Sequence, residues 1–162
     1  MLEREAVYDM NRIIAALAVG LALGLAAQGA AAQSPENLVK YRQSVMKAIG
    51  GHTGAIAAVV KGEVAYGDHV AGHARGIKEM SLIVADIFPP ESGPDGFKET
   101  RALAKIWAEP DKFKEAVTAF RKAAADFAEV AEGGDMAAIG DGLGALGKSC
   151  GGCHKPFRAE KE

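Results

Sequence analysis

The chain has 162 residues and a formal net charge of -2, with 19 Lys and Arg against 21 Asp and Glu in interspersed order, so it fits one domain and offers no basic stripe to a nucleic acid backbone. Aromatic residues make up 6% of the chain, Ala and Gly are plentiful, and no long β-branched alternation occurs, which argues against sheets and for an all-α fold.

Residues 1–32 stand apart. An apolar stretch from Ile13 to Ala27 leads into Gln28-Gly29-Ala30-Ala31-Ala32, small residues where a signal peptidase would cut, so this segment reads as a secretory leader. The apolar run is shorter than the roughly 20 residues of a spanning helix, which predicts a mature chain, residues 33–162, with no membrane insertion. Glu3, Glu5 and Asp9 outweigh Arg4 at the start, against the usual positive leader; translation from Met10, with Arg12 close behind, restores the pattern.

Four helices follow. Leu38, Arg42, Val45, Ile49, His52, Ile56 and Val59 recur at spacings of three and four from Pro35 to Val60, before Lys61-Gly62. Val70, His73, Ile77, Met80, Val84 and Ile87 form a second stripe from Asp68 to Ile87, stopped by Pro89-Pro90. Residues 88–109 are the one long connection, with Ile106 and Trp107 expected to pack over the core. A third helix starts at Pro110, carries Phe113, Val117, Phe120, Ala124, Phe127 and Ala131, and stops at Gly133-Gly134. Asp135 caps a fourth, whose Met136, Ile139, Leu143, Leu146, Cys150, Cys153 and Phe157 share the inward face. Gly140, Gly144, Gly147 and Gly151 occupy another face, each costing about 1 kcal/mol of helix propensity, so a close neighbour is expected there. Met80 and Met136 read as core filler. The pattern predicts an antiparallel four-helix bundle, an architecture that commonly encloses a cofactor.

The only cysteines stand in Cys150-Gly151-Gly152-Cys153-His154, the C-x-x-C-H pattern of covalent haem attachment. Residues three apart on a helix are neighbours, so both thiols reach adjacent vinyl groups of one porphyrin edge, and His154 lies where a neutral imidazole meets the iron. Other readings stay open. A thiol–disulfide exchange pair normally sits at a helix N-terminus beside a βαβ unit. Zinc would need a further ligand from His52, His69 or His73. A plain disulfide would close a very small loop and leave His154 idle. His69 and His73, one turn apart, read as a solvated face, and His52 as a rim or interface residue.

Three stretches carry a resemblance. Leu38-Val39-Lys40-Tyr41-Arg42-Gln43-Ser44-Val45-Met46, Thr100 to Trp107 with Pro110 and Phe113, and Cys150 to Arg158 with its Cys-x-x-Cys-His-x-x-Phe-Arg together resemble the class II c-type cytochromes, cytochrome c′ and its Met-ligated relatives. The resemblance implies a four-helix bundle, frequently a homodimer, with one covalent haem c in the periplasm. It implies Cys150 and Cys153 as thioether residues, His154 as proximal iron ligand, and Arg42, Gln43 and Thr100 at the haem edge, Arg42 pairing with a propionate. Arg101 stands where the family commonly has Glu. Arg158 either puts positive charge near the proximal pocket or complements the helix C-terminus. Met46 falls on the distal side, as sixth ligand or as packing. The expected role is electron transfer with redox partner proteins, without enzymatic activity; the alternative is binding of nitric oxide or carbon monoxide.

Overall fold

In the computed structural model, which describes residues 34–160, the first helix begins where the sequence places it. Helix α1, Pro35–Val60, is capped by the Ser34 hydroxyl, which accepts from the Asn37 amide at 3.3 Å, and Pro35 occupies the first turn, where a missing N–H costs nothing. Gly62, with φ 72°, turns the chain away in the left-handed region that suits a residue without Cβ. The leader predicted over residues 1–32 lies outside the described residues.

Helix α2, Val70–Leu82, stops short of the predicted Ile87. The cause lies in helix α3, Pro110–Glu132, from which Arg121 donates through Nε to the Ser81 carbonyl at 3.1 Å and through Nη2 to the Leu82 carbonyl at 2.5 Å. Those last-turn carbonyls are thereby satisfied without a further helical turn. Val84 and Ile87 stay buried although the helix has ended, so the apolar spacing outlasts the element.

Helix α3 starts at Pro110 and gives way at Gly133-Gly134 as predicted, and Asp135 caps helix α4, Met136–Phe157, its Oδ1 accepting from the amides of Ala137 at 2.9 Å and Ala138 at 3.3 Å. Apolar stripes from all four helices meet in one core in which Ile56, Ile77, Phe127, Ile139 and Leu146 are fully buried. Each helix packs against the next in chain order, whereas α1 returns to α4 through a much sparser contact. The result is the antiparallel four-helix bundle, closed tightly on three sides and loosely on the fourth. Among the described residues no helix is long and apolar enough to cross a membrane.

The long connection is tied down at several points. Trp107 donates from Nε1 to the Phe88 carbonyl at 3.1 Å, and Ile106 is buried as predicted. At Gly96 a Cβ would stand 2.0 Å from the Glu91 carbonyl oxygen, a close approach only glycine permits. Beyond it, Ala102 pairs with Arg158 in an isolated bridge, with the Leu103 amide donating to Phe157 at 3.0 Å and the Ala159 amide to Arg101 at 2.8 Å. This short ladder clamps the end of α4.

One expectation needs correction. Met136, the first residue of α4, is 39% exposed instead of filling the core, because the bundle's apolar layers begin one turn later at Ile139. Along the glycine face beyond Gly140, the close neighbour expected is not another helix. Gly140 approaches Val60 at 3.6 Å, but no described protein atom comes within 4 Å of a Cβ built at Gly144, Gly147 or Gly151. The tight position is Gly142, where a Cβ would meet the Phe127 ring at 2.9 Å.

Candidate cofactor site

The last turns of α4 carry Cys150, Cys153 and His154, all half-buried. Leu146 before them and Phe157 after them are buried, and the Phe157 ring stands edge-on to Phe113 at 5.4 Å, so core packing fixes this stretch at both ends. Two adjoining cavities open beside it. One, about 300 Å³, is bordered by Arg42, Gln43, Met46, Thr100, Cys153 and His154 among others. The second, about 430 Å³, is bordered by Met46, Ile49, Val117, Phe120, Cys150, Cys153 and His154. Met46, Val84, Cys153 and His154 border both, so every residue the sequence singled out for the site lies around one connected space on the loose side of the bundle.

Burial, and then the positive charges of Arg158 and Arg101, hold the His154 imidazole below its ordinary value, which keeps a neutral ring with a free lone pair at neutral pH. Burial pushes both cysteine thiols up, with Cys150 adding to the effect on Cys153. Protonated thiols are poor partners for thiol–disulfide exchange, which needs the thiolate. Among the described residues no group of three or more His, Cys, Asp or Glu is placed to hold a metal ion, so no zinc ligand set assembles around the two cysteines.

Arg42 is buried and built into the fold. Its Nη1 donates to Ser92 Oγ at 2.6 Å and to the Ile87 carbonyl at 3.4 Å; its Nη2 donates to the Ser92 carbonyl at 3.0 Å and to Thr100 Oγ1 at 2.7 Å. The guanidinium also lies 4.7 Å from the centroid of the Phe88 ring. Both terminal nitrogens are thus engaged by protein acceptors, and burial lowers the group from its ordinary value. Thr100 serves the same cluster, and also accepts from the Ala102 amide at 3.1 Å. Gln43 is exposed at the rim, Arg158 is exposed beside it, and Arg101 donates from Nε to the Ala159 carbonyl at 3.0 Å.

Sequence reasoning missed Ser92 and Phe88. The available signal was Arg42 itself, since an arginine on an otherwise apolar stripe requires acceptors and an aromatic or apolar bed for its stem. It also misjudged His73, which is not on a solvated face: its Nδ1 lies 2.8 Å from Nδ1 of His52.

Two thiols neighbouring on one helix face, a free-base imidazole beside them and a largely apolar space with cationic groups at its rim form a donor set and a container that fit a covalently held haem. The sequence model of cytochrome c′ matches residues 37–158. A cytochrome c′ of Rhodospirillum rubrum is 38% identical over 148 residues, covering 91% of this chain and 97% of that one. Another, from Pararhodospirillum photometricum, is 38% identical over 125 residues, covering 77% and 98%. Among solved structures, a nitric oxide complex of a cytochrome c prime variant from Alcaligenes xylosoxidans superposes with a TM-score of 0.70 at 29% identity, covering 79% of this chain and 98% of that one.

Proposed function

Since this chain belongs to the cytochrome c′ family, whose members carry one covalently bound haem c, we propose that it is an exported electron-transfer protein of the periplasm and not an enzyme. Bound here, the haem supplies a one-electron ferrous and ferric couple. Cys150 and Cys153 would hold it through their two sulfur atoms on one face of α4, and His154 would offer its neutral nitrogen to the iron. Arg42, Ser92 and Thr100 keep the long connection in place along one wall, with Gln43 at the rim. Ile49, Val117 and Phe120, which line the second cavity, would give the haem an apolar wall.

The observation that carries the reading is Met46: it borders both cavities together with His154, so an imidazole from α4 and a thioether from α1 share one space. Met and His together favour a higher potential and reversible electron transfer. The test is an optical and electron paramagnetic resonance spectrum of the haem-loaded protein, ferric and ferrous. Low-spin spectra that become high-spin in Met46→Ala support the reading; high-spin spectra in the parent sink Met46 as a ligand.

A second reading, binding of nitric oxide or carbon monoxide, is favoured by a different observation. The space beside Met46 is apolar, and a similar protein has been solved as a nitric oxide complex. Carbon monoxide shifting the ferrous spectrum of the parent as readily as that of Met46→Ala would make it the better one. Pairing of two copies, implied by the family resemblance, is read by sedimentation of the haem-loaded protein.

A further inference from the structure

Charge around the site is one-sided. Three cavities border His154, and among the described residues the cations lining them are Arg42, Lys47, Arg101, Lys155 and Arg158, against Glu160 as the one acid. Arg42 is buried and engaged by the fold, whereas the other four cations are exposed. They come from α1, the long connection and the end of α4, so only the folded bundle groups them. Lys40, Lys61, Arg75, Lys105, Lys112 and Lys122 each stand in an ion pair with a carboxylate, but among the described residues no carboxylate pairs with Lys47, Arg101, Lys155 or Arg158. Arg101 is also held in place: its Nε donates to the Ala159 carbonyl at 3.0 Å, and the Ala159 amide donates to the Arg101 carbonyl at 2.8 Å. That anchor is neutral, so the charge stays uncompensated.

We infer that the exposed face formed by Lys47, Arg101, Lys155 and Arg158 is the docking surface for an acidic protein that exchanges electrons with the haem. The inference rests on the electron-transfer reading above, and adds where the partner sits and what charge it carries. Position favours a redox protein: the cations ring the cavities beside the iron ligand, so carboxylates held by them bring the partner to the site itself. Charge selects the face. The chain as a whole is at -2, so an acidic partner is repelled by the rest of the surface and attracted here, which orients the encounter. Even with both carboxylates of a haem paired here, the face keeps a positive surplus.

The strength of such contacts suits the task. Exposed ion pairs contribute little each, so a few of them steer and orient without holding, and a partner that must leave after one electron needs a short-lived complex.

The test uses the haem-loaded protein and two trianions of similar size. Redox-inert hexacyanocobaltate(III) is titrated into isotope-labelled protein while amide resonances are followed, and hexacyanoferrate(III) is mixed with the ferrous protein in stopped flow over about 10–200 mM salt. The expected result is a set of shifts centred on Lys47, Arg101, Lys155 and Arg158 that vanish at high salt, and an oxidation rate that falls at least about fivefold across the salt range. The sign is decisive, because the negative net charge of the chain alone would repel the trianion and make the rate rise with salt. Lys47→Glu and Lys155→Glu should each slow oxidation at least about twofold at low salt and leave it unchanged at high salt. Lys61→Glu, beyond the far end of α1, makes the same change in net charge and should show no such loss. An unaltered haem spectrum confirms that the variants fold, and the salt series on the parent decides the matter even if one does not. A rate that rises with salt, shifts centred elsewhere or an equal effect of Lys61→Glu would overturn the docking surface. Binding to phosphatidylglycerol vesicles at about 150 mM salt would assign the face to lipid and overturn the protein partner. Haem that does not cycle between ferric and ferrous would instead overturn the electron-transfer reading, and is seen without any salt series.

Discussion

Replacing Arg42 by Met tests whether this side chain is a structural rivet. Met keeps an apolar side chain of similar length and removes every donor, so the Ser92 carbonyl, in a wholly buried residue, loses its charged partner, and Ser92 Oγ and Thr100 Oγ1 each lose one donor. An unsatisfied buried acceptor costs about 1–3 kcal/mol, and release of the guanidinium from burial offsets part of it, so a net loss of about 2–4 kcal/mol is expected. With a urea slope of about 2 kcal/mol/M, the unfolding midpoint of the haem-loaded protein should fall by roughly 1–2 M. Thr100→Val removes one of the four acceptors and should cost about 1 kcal/mol. Because the two share a hydrogen bond of 2.7 Å, the double variant should show a coupling of at least about 0.5 kcal/mol. A midpoint for Arg42→Met unchanged from the parent, or strict additivity with Thr100→Val, would refute the reasoning.

Other expectations follow from single contacts. Gly142→Ala should lower the thermal midpoint, because its Cβ would meet the buried Phe127 ring at 2.9 Å, while Gly144→Ala, with no protein neighbour within 4 Å, should stabilise by up to about 1 kcal/mol through helix propensity; the same sign for both would contradict the packing described. Asp135→Ala leaves the amides of Ala137 and Ala138 without their acceptor and should cost about 1 kcal/mol in denaturant unfolding. Phe127→Ala, at a fully buried position, should cost about 3–5 kcal/mol, and a loss below 1 kcal/mol would mean that the core closes over the space.

Much of the fold was legible because its signals are local. Pro35, Pro110, Gly133-Gly134 and Asp135 act on the backbone within a turn of where they stand, and the helix ends they predict are found. Cys150, Cys153 and His154 were legible for the same reason, being neighbours on one helix. What the sequence withheld depends on contacts between distant segments. The early end of α2 is decided by Arg121, the partners of Arg42 come from Ser92 and Thr100, and the meeting of His52 with His73 rests on the absence of a side chain at Gly76. Spacing alone also did not tell which glycines another helix approaches: Gly142 meets Phe127, while Gly144, Gly147 and Gly151 have no protein neighbour within 4 Å.

The sparse contact between α1 and α4 has a mechanical meaning. A bundle bound firmly on three sides has one compliant wall, and displacement of α1 concentrates there, since few interlocked core side chains must part to permit it. Met46 stands on that wall and borders both cavities beside His154, so the side of the site it lines is the one where the fewest core contacts hold the helices together.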